Sequence, residues 1–123
     1  MTRALKTQLH NVAFSAFILH EILENPLPDE TAQSRLKQIG LMSVLYMMHQ
    51  AHQPLTLSNI IEITELTRTG VKETIDPLVQ RGVLTETMGR NVMGRGNARQ
   101  FKISEDLLNR LNAFDGGKEA SLK

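Results

Sequence analysis

The densest chemistry in this sequence lies at MGRNVMGRGNAR, residues 88–99, where Gly89, Gly94 and Gly96 alternate with Arg90, Arg95 and Arg99. Lys102 extends the charge, and no acid occurs between positions 87 and 102. On a chain whose formal net charge is only +1, a local basic stripe is the electrostatic footprint of a nucleic-acid contact. Glycine lets backbone come close to a polyanion, and arginine is drawn to the negative potential of a narrow minor groove. Arg90, Arg95, Gly96, Asn97 and Arg99 are therefore candidate contacts to DNA. The bland alternative is a solvated basic hairpin, which would not need three glycines in the same run.

A second constellation precedes it, TRTGVKETIDPLVQRG, residues 67–82. Val71, Ile75 and Leu78 fall four and three apart and so share one helix face. Thr67 is placed to cap the start, and Gly82 to supply the positive φ at which helices end. Away from that face, small and hydrogen-bonding groups crowd the first two turns: Thr67, Arg68, Thr69, Gly70, Lys72 and Glu73. A helix whose N-terminal half enters a major groove has this surface. Arg68 or Lys72 would donate to guanine, and Glu73 would accept from cytosine N4. Asp76 and Pro77 lie nearer the C-terminal end and are expected outside the groove. The charges of this helix nearly balance. The hairpin is therefore expected to supply most of the affinity, and the helix the specificity.

Other chemistry is poorly supplied. The sequence has no cysteine, which excludes disulfides, thiolate metal sites and thiol redox switching. His49 and His52 stand three apart near a helix end, but two ligands do not complete a metal site, and a helix C-terminus already favours such groups. His10 and His20 add nothing to them. There is no nucleophile–base pair or phosphate-loop pattern, and aromatic residues make up 4% of the chain, too few to wall a pocket. An enzyme is the weakest reading, and neither a cofactor nor a metal is expected. No apolar run approaches a membrane span, and the N-terminus lacks a signal-peptide layout. The expectation is a cytoplasmic protein with no membrane partner.

These residues need a scaffold, and 123 residues suit one folded unit. Residues 2–24 read as a long helix with two apolar lines. Leu5, Leu9, Val12, Ala16, Leu19 and Leu23 form a heptad seam, while Phe14, Ile18 and Ile22, widened by Phe17, form the other. One line suffices to pack a helix on its domain. The seam is therefore expected to meet a second subunit; burial of the whole helix in its own domain is the alternative. Pro26 and Pro28 end this helix. Asp29 is expected to cap a helix over about 30–52, with Leu36, Ile39, Met42, Leu45 and Met48 inward. Thr56 or Ser58 caps a short helix at 57–64, with Leu57, Ile60 and Ile61 inward, and Leu66 is expected as a buried plug in the turn that follows. Residues 83–87 and 100–103 read as the strands of an antiparallel hairpin. Ser104 caps a last helix at about 105–114, with Leu107, Leu108, Leu111 and Phe114 apolar. The expected organisation is a dimerisation helix and linker at 1–28, a DNA-binding domain at 29–103, a C-terminal helix at 104–114 and a flexible tail at 115–123.

Two short helices joined by a tight turn, then strand, basic loop and strand, look like a winged helix-turn-helix. The run PLTLSNIIEITELTRTGVKETIDPLVQRGVL, residues 54–84, resembles MarR-type bacterial transcriptional regulators. Pro54-Leu55-Thr56 stands at the family's opening of the first short helix. Thr67-Arg68 stands at the start of the recognition helix, and Leu78-Val79-Gln80-Arg81-Gly82-Val83 at the Leu-x-x-x-Gly-Leu before the wing. The resemblance covers about residues 35–103. It implies a recognition helix in the major groove, carried by Arg68, Thr69, Gly70, Lys72 and Glu73, and a wing at the minor groove or backbone, carried by Arg90, Arg95 and Arg99. Two features depart from the family. Its long C-terminal dimerisation helices are not matched by the short helix expected at 105–114, which moves dimerisation to residues 2–24. The wing lacks the family's acid-plus-arginine pattern and is richer in glycine.

The fold expected is mainly α with a small β-hairpin: a winged helix-turn-helix with an added N-terminal helix, as a homodimer. The function expected is a sequence-specific double-stranded DNA-binding transcriptional regulator. A repressor is favoured, because occupying an operator is the simplest action for a chain of this kind. A winged-helix protein-interaction module and a replication or plasmid-maintenance DNA-binding protein are the alternatives.

Overall fold

The computed structural model describes residues 3–90 and 97–121, with side chains described for 11–87 and 99–113. Within them the chain is mainly helical. Five helices, α1 (Arg3–Leu23), α2 (Ala32–Gln50), α3 (Leu57–Thr64), α4 (Arg68–Gln80) and α5 (Glu105–Ser121), accompany three strands, β1 (Leu55–Thr56), β2 (Leu84–Arg90) and β3 (Asn97–Ile103). The strands form one antiparallel sheet in the order β1-β3-β2. β1 was not expected: two residues are too short to show a period, yet Leu55 and Thr56 pair with Phe101 and Gln100. The hairpin strands also run further toward the tip than expected, to Arg90 paired with Asn97.

One core joins these elements. Phe14, Ile18 and Ile22 of α1 are fully buried, so the second apolar line of that helix is the one that packs on its own domain. Phe14 stacks on Tyr46 of α2, ring centroids 3.9 Å apart. From the other side come Ile60 of α3, Val71, Ile75 and Leu78 of α4, Leu84, Phe101 and Ile103 of the sheet, and Leu107 and Leu111 of α5. Each such side chain contributes about 1.5–3 kcal/mol by leaving water. Arg110 ties α5 to α1 at the surface, donating to Glu21 at 2.9 Å and lying over the Phe17 ring.

Several local expectations are corrected. Thr31, not Asp29, caps α2: its hydroxyl accepts from Ser34 N–H at 3.0 Å from an extended backbone, whereas Asp29 sits at φ +62, where an N-cap cannot form. The helix is accordingly shorter than 30–52 at both ends. Leu36 is 61% exposed. The inward stripe of α2 runs Gln38, Leu41, Met42, Leu45 and Met48, and it begins with a polar residue that a hydrophobic pattern cannot locate. Leu66 is not a plug but is 46% exposed. Its N–H is met by Thr64 Oγ1, and Glu65 makes the turn in the left-handed region at φ +59. Finally, α5 does not stop near residue 114. It runs through Gly116 and Gly117 to Ser121, past the end expected from the sequence. Helix-interior glycine costs about 1 kcal/mol but does not forbid helical geometry. Phe114 lies outside the described side chains.

Candidate nucleic-acid interface

Helix α4 is held by its two ends. At the start, Thr67 Oγ1 accepts from Gly70 N–H at 3.0 Å, and a Cβ added at Gly70 would stand 3.1 Å from that same oxygen. At the finish, Gly82 N–H donates to Val79 C=O and Val83 N–H to Leu78 C=O, with Gly82 at φ +83. This paired closure satisfies the last carbonyls and brings buried Val83 against buried Leu78. A Cβ at Gly82 would meet nothing, so the demand for glycine is purely conformational.

Between these ends the helix divides by face. Val71, Thr74, Ile75 and Leu78 are buried, and Thr74 Oγ1 donates to Gly70 C=O at 2.9 Å. Thr67, Arg68, Thr69, Lys72 and Glu73 are exposed, and Gly70 is half-buried. The residues expected to read a groove therefore share the open side of one helix, beginning at its capped N-terminus.

The C-terminal end of α4 is anchored by a buried ionic cluster. Arg81 and Glu30 face each other with side chains 5% and 4% exposed. Arg81 Nε donates to Gln38 Oε1 at 3.0 Å, its Nη1 donates to the Asn25 carbonyl at 2.8 Å, and its Nη2 donates to both Glu30 oxygens. Gln38 Nε2 donates to Glu30 at 2.6 Å. Burial pushes the Glu30 carboxyl up. The hydrogen bonds from Arg81, Gln38 and Leu27 N–H, with the charge of Arg81, outweigh it and hold Glu30 at about 2. This node joins the chain after α1, the start of α2 and the end of α4. The sequence does not announce it, since the partners are far apart along the chain and carry no local pattern.

Among the described side chains the hairpin carries two basic residues, Arg99 and the exposed Lys102. Arg99 Nε donates to Glu86 Oε2 at 3.0 Å, and its Nη2 to Glu86 Oε1 at 2.9 Å and Asp76 Oδ1 at 3.0 Å. Its guanidinium carbon lies 5.2 Å from the Phe101 ring centroid. The Glu86 bonds raise the Arg99 pKa further, against burial and with help from Asp76. In return the bond from Arg99 lowers the Glu86 carboxyl, despite its partial burial. Arg99 is thus bound by two carboxylates rather than free, unlike the open contact expected of it. Strand alternation carried the signal: Arg99, Phe101 and Ile103 share one face, and the last two are core residues. Arg95 and Gly96 lie outside the described residues. Arg90 and Asn97 are described only as a backbone pair of the sheet.

On α1, Val12, Leu19 and Leu23 of the seam are exposed, Val12 at 65%, and Ala16 is half-buried. The side chains of Leu5 and Leu9 lie outside the described set. A groove of about 530 Å³ runs between α2 and the α3–α4 corner, lined by residues including Lys37, Gly40, Val44, Leu66 and Glu73. Among the described residues no group of three or more His, Asp or Glu could hold a metal ion, and no helix is long and apolar enough to cross a membrane. No family model matches the chain, and comparison with curated proteins and with solved structures finds no match.

Proposed function

We infer that the chain is a winged helix-turn-helix, similar to MarR-type regulators, that binds double-stranded DNA in a sequence-specific manner as a homodimer and acts as a transcriptional repressor. One observation carries this reading. The capped, open side of α4, with Arg68, Thr69, Lys72 and Glu73 exposed, is followed directly by an antiparallel hairpin with Gly89, Arg90 and Arg99 in its strands and Gly94, Arg95 and Gly96 in the sequence that connects them. In this reading α4 enters the major groove and reads bases, and the hairpin meets the minor groove or the backbone. The exposed Val12, Leu19 and Leu23 support a dimer formed along α1. Two copies related by a twofold axis would select a near-palindrome with half-sites about one helical turn apart.

Selection from a random duplex pool tests binding, specificity and half-site symmetry together. The contribution of the hairpin is tested by Arg95→Ala. Removing one phosphate partner should reduce the slope of log affinity against log salt by about 0.9. An unchanged slope would remove Arg95 from the interface.

Ile63 and Leu66, both about half exposed beside the α3–α4 turn, favour a second reading, a winged-helix module that binds a protein. Failure to bind any duplex at low salt, with a stable hetero-complex recovered from extract, would select it.

A further inference from the structure

Asp76 and Glu86 reach Arg99 from different elements. The Glu86 pair lies within the hairpin, across β2 and β3, and is bidentate through Nε and Nη2. The Asp76 bond leaves the hairpin and crosses to α4. With the guanidinium already fixed by Glu86 and lying over Phe101, the third bond needs little further side-chain ordering. Asp76 stands one turn beyond Lys72 and Glu73, on the exposed part of α4. An unpaired carboxylate there would oppose a polyanion, and Arg99 answers that charge.

We propose, resting on the DNA-binding reading above, that Asp76 and Arg99 form a brace that sets the angle between the hairpin and α4. Arg99 is a positioning residue that holds the two DNA-contacting elements as one body and does not itself touch phosphate. Asp76 supports binding although it repels DNA.

A brace and a direct phosphate partner make opposite predictions for Asp76→Asn. A brace requires this variant to bind a selected duplex more weakly, by about fivefold, the upper range for a partly exposed ion pair. Arg99→Gln should weaken it at least as much, and the double variant should be no worse than Arg99→Gln. Asp76→Glu should recover most of the affinity, and the salt slope should stay unchanged throughout. If Arg99 instead touches phosphate, Asp76→Asn frees it and tightens binding, and Arg99→Gln reduces the slope by about 0.9. Either result overturns the proposal.

A second measurement needs no DNA. Amide hydrogen exchange in β2 and β3 should speed up in Asp76→Asn while that of α1 and α2 holds; unchanged exchange in the hairpin overturns the brace. If exchange responds but the wild-type chain binds no duplex, the DNA-binding reading falls and the proposed positioning role falls with it.

Discussion

Arg81→Met should lower the unfolding free energy by about 3–5 kcal/mol, because it leaves the Glu30 carboxylate buried without its charge partner. Urea unfolding at neutral pH measures the decrease. The same cluster should make the wild-type protein sensitive to acid. Glu30 is held at about 2, below its ordinary 4.5. The unfolded chain therefore takes up this proton before the folded one does as pH falls. The stabilisation is complete above about pH 4.5, declines as pH drops, and is gone below about 2. It amounts to about 3 kcal/mol, since each unit of pKa difference corresponds to about 1.4 kcal/mol. Glu30→Gln should flatten this part of the acid limb. An equally steep limb in that variant would show that other carboxylates govern it.

Val12→Glu combined with Leu19→Glu should convert the proposed homodimer to a monomer, as read by sedimentation equilibrium. Both positions are exposed in the single chain, so far-ultraviolet circular dichroism should change little, while thermal unfolding should lose its dependence on protein concentration. On a palindromic duplex the monomer should bind about 100-fold or more weakly, because the second half-site no longer benefits from a tethered reader. Binding to a single half-site should persist. A variant that remains dimeric would take α1 out of the interface. Attention would then move to α5, which is longer than its sequence suggests.

The elements that declare themselves locally were legible. Thr67 and Gly82 bracket α4 as their chemistry requires, Thr56 caps α3, and of the two apolar lines of α1 one is buried at Phe14, Ile18 and Ile22 while the other is exposed at Val12, Leu19 and Leu23. What escaped depends on partners distant in sequence. The inward register of α2 is set by Gln38, whose burial is meaningful only beside Glu30 and Arg81. Asp29 and Thr31 both suit an N-cap by type, and only the left-handed backbone at Asp29 decides between them. In the candidate interface, composition alone made Arg99 look like Arg90 and Arg95. Its position two residues before Phe101 places it on the packed face, within reach of Glu86 and Asp76.

The Arg81 cluster also bears on how the chain reaches its native state. Its bonds close 43, 51 and 56 positions of sequence at once. Loop closure of that extent comes after local helices and the hairpin have formed their own interactions. The cluster then belongs to the native side of the folding barrier. Substitutions at Arg81 should raise the unfolding rate and leave the refolding rate nearly unchanged in stopped-flow traces. Arg81 would act as a latch on the finished fold, lengthening the lifetime of the arrangement that sets α4 against the end of α1 without speeding its assembly.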